Sequence, residues 1–484
     1  MADKFSMQYI NGVWREGSSD YVYENVNPYN GDVVARMKLA NRNDIDEAYQ
    51  AAKQAQKKWA QASADEKKQV LRRAAQLMQE RKDEYIGIMI KETGSSFVKA
   101  MAEFMVSVGM IVASIEYVDR MYEPQIFPGT VPGKENHVYR HPIGVIGVIT
   151  PFNFPLMSAI RVIAPAIAVG DALVLKPDSG TYMSGGPFIA DIFEQAGLPK
   201  GVLNVVSYDI AEVGDYLIEH PVPRIISFTG STNVGRHIGA LCGQHLKRVS
   251  LELGGNNPFV VLEDADLDAA IDAAVFGKFF NVGQVCVCTN RMFVHRKHYD
   301  EFVRRFAERA EQLPYGDPID PKVIIGPLIN ERQMQKVIGI AEDAKQDGAR
   351  VVLEGKRIGN ILTPYVFADV KQESRLAQTE IFGPIATIIP FESDEEVLEW
   401  ANNTEYGLSG AVFTQDLEKG IAFARAVESG MTHVNDATAN LDMNAPFGGE
   451  KSSGIGRYGG EIGLEEFTTV KWVSVQTEPR KFPF

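Results

Sequence analysis

Three residues of this 484-residue chain have types and neighbours suited to chemistry: Cys286, Glu252 and Asn153. Cys286 follows Gly283-Gln284-Val285, a turn that can hold backbone close to a ligand. As a thiolate it is the strongest nucleophile in the chain. A free thiol has a pKa of about 8.5, so its surroundings must favour ionisation at neutral pH. Read alone, the segment fits a buried structural cysteine at least as well, because free Cys is commonly buried. Glu252 ends a strand predicted over 247–251 and precedes Leu253-Gly254-Gly255. A carboxylate there points to the C-terminal edge of a strand, where open α/β sheets bind ligands. In a partly apolar site its pKa rises toward neutrality, as a general base needs; a surface glutamate at a turn also accounts for it. Asn153, in Thr150-Pro151-Phe152-Asn153-Phe154-Pro155, offers a side-chain amide to a developing oxyanion, or bonds its own turn.

Three further segments suit a cofactor. Phe228-Thr229-Gly230-Ser231, running on to Gly235, joins a strand to a helix whose N-terminus can hold a pyrophosphate, although it is not a G-x-G-x-x-G fingerprint. Lys176-Pro177 ends another strand, and its ammonium either bonds ribose hydroxyls or is simply solvated. Glu380-Ile381-Phe382-Gly383 sets a carboxylate beside an aromatic ring, for a nicotinamide ribose or for an ordinary turn. Cys286 and Cys288 lack the spacing of zinc or dithiol sites, so no metal is expected.

The elements that must position these residues follow from apolar periodicity. Gln8-Tyr9-Ile10 and Val13-Trp14-Arg15 flank Asn11-Gly12 as a hairpin. Asn43 is read as the cap of a helix carrying Ile45, Ala48, Ala52 and Trp59. Ser63 and Glu66 form a capping box for a helix that stops near Gly94, and another helix runs over 99–122. The stretch 124–142 and the alternating end Val470-Lys471-Trp472-Val473 read as edge strands that need a partner, either each other or another subunit. Apolar runs at 145–149, 172–175, 202–206, 225–228 and 247–251 alternate with helical segments, the mark of a parallel doubly wound sheet. A second series follows at 258–262, 291–295, 384–390, 411–414 and 431–434. The expected division is a Rossmann-like cofactor domain over 1–122 and 143–253, an α/β catalytic domain over 254–454, and oligomerisation strands over 123–142 and 470–484.

The formal net charge of −14 argues against a nucleic-acid partner. Three cysteines give no disulfide framework and suit a reducing compartment. The N-terminus has no apolar stretch like a signal peptide, and the apolar region 143–175 is cut by prolines and charges. A cytoplasmic protein without a membrane partner is therefore expected.

Taken together, Pro151-Phe152-Asn153-Phe154-Pro155, Leu173-Val174-Leu175-Lys176-Pro177, Phe228-Thr229-Gly230-Ser231, Leu251-Glu252-Leu253-Gly254-Gly255, Gly283-Gln284-Val285-Cys286, Glu380-Ile381-Phe382-Gly383-Pro384 and Pro446-Phe447-Gly448-Gly449 resemble the aldehyde dehydrogenase superfamily over essentially the whole chain. The stretch from Arg140 through Asp178, with Ser184-Gly185-Gly186, is similar to its benzaldehyde and vanillin dehydrogenase branch. The resemblance implies an aldehyde oxidised to a carboxylic acid through a thioester on Cys286, with Glu252 as general base and Asn153 as oxyanion donor. It implies NAD as cofactor, with NADP possible, and contacts at Thr150, Phe152, Lys176, Ser179, Gly230, Ser231, Gly235, Glu380 and Phe382. Phe154, Val285, Val287 and Phe447 are expected to line the substrate tunnel, suiting an aromatic ring or, almost as well, an aliphatic chain. A homodimer or homotetramer is implied as well. Two positions depart from the family: Ser179 stands where NAD-preferring members often carry a glutamate, and Tyr458 where some relatives carry a second glutamate. A CoA-acylating enzyme, a non-catalytic member and a plain cysteine esterase are the alternatives.

Overall fold

A computed structural model of the chain describes residues 4–484. It starts in the expected hairpin: β1 (Gln8–Ile10) and β2 (Val13–Arg15) pair antiparallel across Asn11 and Gly12, whose φ angles are 52° and 75°. Helices α1 (Arg42–Trp59), α2 (Ala64–Glu80), α3 (Lys82–Thr93), α4 (Phe97–Ala113) and α5 (Ile115–Arg120) follow. The cap of α1 is Asn41, not Asn43. Asn41 accepts from the N–H groups of Asn43 and Asp44, and Asp44 accepts in return from the N–H of Asn41. Ser63 caps α2 through the N–H of Glu66, and the helix expected to reach Gly94 breaks at Arg81. The helix expected over 99–122 breaks at Ser114, whose hydroxyl bonds the Met110 carbonyl at 2.7 Å, a back-bond that bends helices.

The edge strands β3 (Gln125–Pro128) and β4 (Lys134–Pro142) come next. Then the regular alternation begins: β5 (Val145–Ile149), α6 (Pro155–Val169), β6 (Ala172–Lys176), β7 (Leu203–Val205), β8 (Ile225–Thr229), α7 (Thr232–Gln244) and β9 (Arg248–Glu252). The sheet order is β2-β1-β7-β6-β5-β8-β9, closed by the short strand Gly454–Ile455 from near the chain's end. The chain moves outward from β5 through β6 to β7, then returns to the other side of β5 with β8 and β9. That reversal opens a crevice beyond the carboxyl ends of β5 and β8, the place where such sheets bind ligands.

Helix α4 packs among the neighbouring helices α2, α3 and α6. By length and composition the stretch Phe97–Arg120 could cross a membrane, but here half of it is buried inside the protein, with α4 packed on α2 and α6. It carries Lys99 and Glu103 as a fully buried ion pair at 2.6 Å. Glu103 also serves α6. That helix begins at Pro155 without a side-chain cap from Phe154, and the Glu103 carboxylate accepts the N–H groups of Leu156 and Met157 at 2.8 and 3.1 Å. An anion at a helix N-terminus satisfies orphan donors and complements the dipole.

Residues Leu253, Gly254, Gly255 and Asn256 carry the chain from β9 to β10 (Asn257–Val261) in a second sheet. Helix α8 (Leu267–Phe279), β11 (Thr289–His295), β12 (Arg350–Leu353), β13 (Tyr365–Ala368), β14 (Ile385–Phe391), β15 (Ala411–Phe413) and β16 (His433–Val434) follow, in the order β12-β13-β14-β11-β10-β15-β16. All its pairings are parallel except β12 with β13, two strands the sequence reading did not anticipate. The last strand, β17 (Thr468–Gln476), pairs antiparallel with β4 along nine residues, and β3 flanks β4 on its other side.

Candidate active site

A cavity of about 410 Å³ opens where the two sheets meet. The β5 end supplies Thr150, Pro151, Phe152 and Asn153; the β6 end supplies Lys176 and Asp178; the turn after β8 supplies Thr229, Gly230 and Ser231. Glu252 and Cys286 line the same cavity, the first from the end of β9, the second from the loop before β11. Residues separated in sequence, from both sheets, are thus brought to one place.

The cysteine loop is bent by its backbone. Asn281, Val282 and Gly283 take φ angles of 49°, 59° and 72°, three left-handed residues in a row. For a β-branched valine this conformation is unfavourable by on the order of 1–3 kcal/mol, so the surroundings must enforce it. They do so with hydrogen bonds. Asn281 Nδ2 donates to the carbonyls of Asn153 and Gln284, both at 3.3 Å, and Asn153 Nδ2 donates to the Gln284 carbonyl at 3.0 Å. Asn257 Nδ2 holds the other side, donating to the carbonyls of Cys286 and Cys288 at 2.8 Å each. Gly255 must be glycine: a Cβ there would lie 2.4 Å from the Cys286 carbonyl oxygen.

Cys286 is part-exposed to the cavity, whereas Cys288 and Cys242 are buried. Burial pushes the Cys286 thiol up to about 12; the Glu252 carboxylate adds to the shift and Arg161 opposes it. Glu252 is buried, with neither carboxylate oxygen hydrogen-bonded, and desolvation raises it to about 7 against the pull of Arg161 and Arg457. The site therefore holds a thiol that needs a proton acceptor and a carboxyl poised to be one near neutrality.

The remaining candidates divide. Phe152 and Phe382 meet edge to face, 5.9 Å between centroids, and Phe382 is held at φ 57° with its carbonyl accepting from Gln333 Nε2. Glu380 accepts from the Gly255 N–H at 3.2 Å, and burial lifts it to about 7. The Thr150 hydroxyl is buried without a partner. Ser179 and Gly235, both expected at the cofactor, stand outside the lining. The Ser179 hydroxyl is engaged with Ser207 at 3.0 Å because Asp178 caps the turn it opens, and Gly235 packs α7 against Leu253. Phe154, Val285, Val287 and Phe447 form one buried apolar cluster against Cys286, away from the large cavity. Of the four, Phe447 lines a second, small apolar cavity with Met110, Tyr117, Arg161, Met443 and Tyr458.

The aldehyde dehydrogenase family profile matches residues 14–473. The chain belongs to the aldehyde dehydrogenase family. It is 48% identical over 482 residues to the benzaldehyde dehydrogenase YfmT of Bacillus subtilis (strain 168), covering 100% of this chain and 99% of that one. It is 44% identical over 469 residues to a vanillin dehydrogenase of Corynebacterium glutamicum, covering 96% of this chain and 97% of that one. The crystal structure of an NAD-dependent benzaldehyde dehydrogenase from Corynebacterium glutamicum superposes with a TM-score of 0.90 at 41% identity, over 98% of each chain.

In this aldehyde dehydrogenase several site residues carried no signal in the sequence reading. Asn257 and Asn281 are polar residues in apolar runs, a recognised sign of a buried hydrogen-bonding duty. Gln333 and Lys336 come from a helix (Glu331–Gln346) whose pattern reads as an ordinary amphipathic surface. Arg161, buried in the apolar helix α6, reads only as an interruption.

Proposed function

We propose that this chain oxidises aromatic aldehydes to carboxylic acids with a nicotinamide dinucleotide, through a thioester on Cys286 that Glu252 hydrolyses. The observation that carries this reading is the meeting of Cys286 with an unbonded, buried Glu252 in one cavity at the crevice of a doubly wound sheet. The aromatic substrate follows from the likeness to benzaldehyde and vanillin dehydrogenases and from the apolar cavity at Phe447.

The larger cavity fits the dinucleotide. The turn after β8 leads into the N-terminus of α7, which suits a pyrophosphate. Lys176 suits ribose hydroxyls, Glu380 the second ribose, and the unpartnered Thr150 hydroxyl offers a further polar contact. Asp178, lining the cavity beside Lys176, would repel a 2′-phosphate, so NAD is the preferred cofactor. When bound, the nicotinamide supplies the acceptor for the hydride that the aldehyde carbon gives up.

The protein's part runs through three side chains. The Cys286 sulfur adds to the carbonyl carbon as its proton passes to Glu252. The oxyanion accepts hydrogen bonds from the Cys286 N–H and from Asn153; the Asn153 amide has two hydrogens and only one is used on Gln284. Loss of hydride leaves the thioester. Glu252 gives the thiol proton up to solvent and, ionised again, takes a proton from water, which adds to the thioester carbonyl; the C–S bond breaks and frees acid and thiolate. The base beside the thioester favours water over CoA as acyl acceptor.

The unit built on the first sheet is read as the cofactor domain, the second as the catalytic domain, and the β3-β4-β17 sheet as the surface that joins copies into a dimer or tetramer. Free cysteines suit the cytoplasm. The test is absorbance of reduced nicotinamide with benzaldehyde, vanillin and hexanal, each against NAD and NADP without CoA. Rapid reduction of NAD by the aromatic pair is expected. Reduction only with hexanal would overturn the substrate class, and none from folded protein would overturn the activity.

A further inference from the structure

Arg161, in the second turn of α6, is buried and has no ion-pair partner among the described residues. Its Nη2 donates to Thr229 Oγ1 at 3.0 Å, its Nε has no partner, and its guanidinium carbon stands 4.5 Å from the Tyr458 ring centroid and 5.1 Å from that of Phe447. Tyr458 is itself fixed, its hydroxyl 2.7 Å from Ser227 Oγ. Arginine stays charged when buried, and a buried charge without a counter-ion is costly, so a clamp this complete implies use.

We infer that Arg161 is a positioning residue: a fixed cation that eases ionisation of the Glu252 carboxyl and the Cys286 thiol against the burial that opposes it. The groups facing Glu252 are Arg161, Arg457, Glu466, Tyr458 and Cys286; those facing Cys286 are Glu252, Glu380 and Arg161. Arg457 is committed elsewhere: it donates to the carbonyls of Gly449 and Gly456 at 2.8 and 2.9 Å and pairs with Glu450. Glu466 and Glu380 work against ionisation of their neighbours. Arg161 is thus a cation whose charge is left for the site: Thr229, which holds its Nη2, pairs with Glu252 across β8 and β9, and Phe447, whose ring it faces, belongs to the apolar cluster against Cys286. Tyr458 offers Arg161 a π face rather than a carboxylate, so its charge is not cancelled.

The inference rests on the proposed roles of Cys286 and Glu252, but its test does not need turnover. The measurement is the pH dependence of Cys286 alkylation by iodoacetamide, resolved by site with mass spectrometry, in the wild type, R161Q and R161K. Loss of a cation raises the pKa of a neighbouring acid. R161Q is expected to move the Cys286 profile up by about one pH unit, slowing alkylation at neutral pH about tenfold, with R161K restoring most of it. In turnover, the acid limb of kcat moves upward in R161Q in the same way. An unmoved alkylation profile in folded R161Q overturns the inference. So does a rise in KM for the aldehyde alone, which would make Arg161 a substrate anchor. If R161Q does not fold, T229V releases the Nη2 tether and is expected to give a smaller shift of the same sign; no shift overturns the inference. A wild type that alkylates as expected yet oxidises no aldehyde refutes the proposed function and leaves Arg161 to be judged on alkylation.

Discussion

In the proposed mechanism Cys286 and Glu252 divide the labour in a way that single substitutions can separate. Glu252→Gln is expected to give one burst of reduced cofactor per site and then stall at the thioester, seen by stopped-flow absorbance; steady turnover at the original rate would assign the base elsewhere. Asn153→Ala is expected to lower kcat about 10²–10³-fold, the usual effect of deleting one oxyanion donor. Because burial holds Glu252 near 7 and a base must be unprotonated, hydrolysis should rise with pH through about 7 and level off above it. A kcat profile flat between pH 6 and 8 would count against Glu252. At this scale the sequence was informative where a polar or thiol side chain sits near glycine or proline: Cys286, Glu252 and Asn153 all line the one cavity. It was uninformative where the side chain acts through the fold. Ser179 had the right offset from Lys176 but turns to Ser207, while Asp178 beside it faces the cavity. Arg161 lies in an apolar helix, where nothing local marks its neighbours across the molecule.

The elements were legible wherever local chemistry decides them. The Asn11-Gly12 turn and the alternating strands of the first sheet follow from turn residues and apolar runs. The shift of the α1 cap from Asn43 to Asn41 follows from Asp44, which completes the box only at the earlier position. Strands β12 and β13 escape the sequence pattern because they form an antiparallel pair outside the alternation of strand and helix. Their pairing with distant strands, rather than their own pattern, makes them strands. The Lys99–Glu103 pair in α4 was invisible as well, since at i,i+4 it looks like a surface bridge. Inside the protein it anchors α6. Glu103→Gln, leaving Lys99 buried and unpaired, is expected to lower unfolding stability by about 3–5 kcal/mol in urea titrations. A loss of under 1 kcal/mol would mean that Lys99 is neutral or finds another partner.

For the whole molecule, one face of the β3-β4-β17 sheet leaves apolar side chains in the open: Val470 is 68% exposed, Trp472 62% and Phe127 48%. An edge sheet with such a face calls for a partner. If copies of the chain join there, Val470→Glu combined with Trp472→Glu should convert the assembly to a smaller species in light scattering, and an unchanged mass would place the interface elsewhere.

The late strands also set the order in which the protein can be made. Gly454–Ile455 closes the first sheet beside β9, Tyr458 clamps Arg161, and β17 zips onto β4, although their partners lie hundreds of residues earlier in the chain. On the ribosome the N-terminal unit must wait, its sheet edge open and its buried arginine uncovered, until residues 454–476 emerge. A nascent chain arrested before residues 454–476 carries Cys286 and Glu252 without the ring that packs on Arg161. The surroundings of the thiol are therefore completed only after these late strands are made.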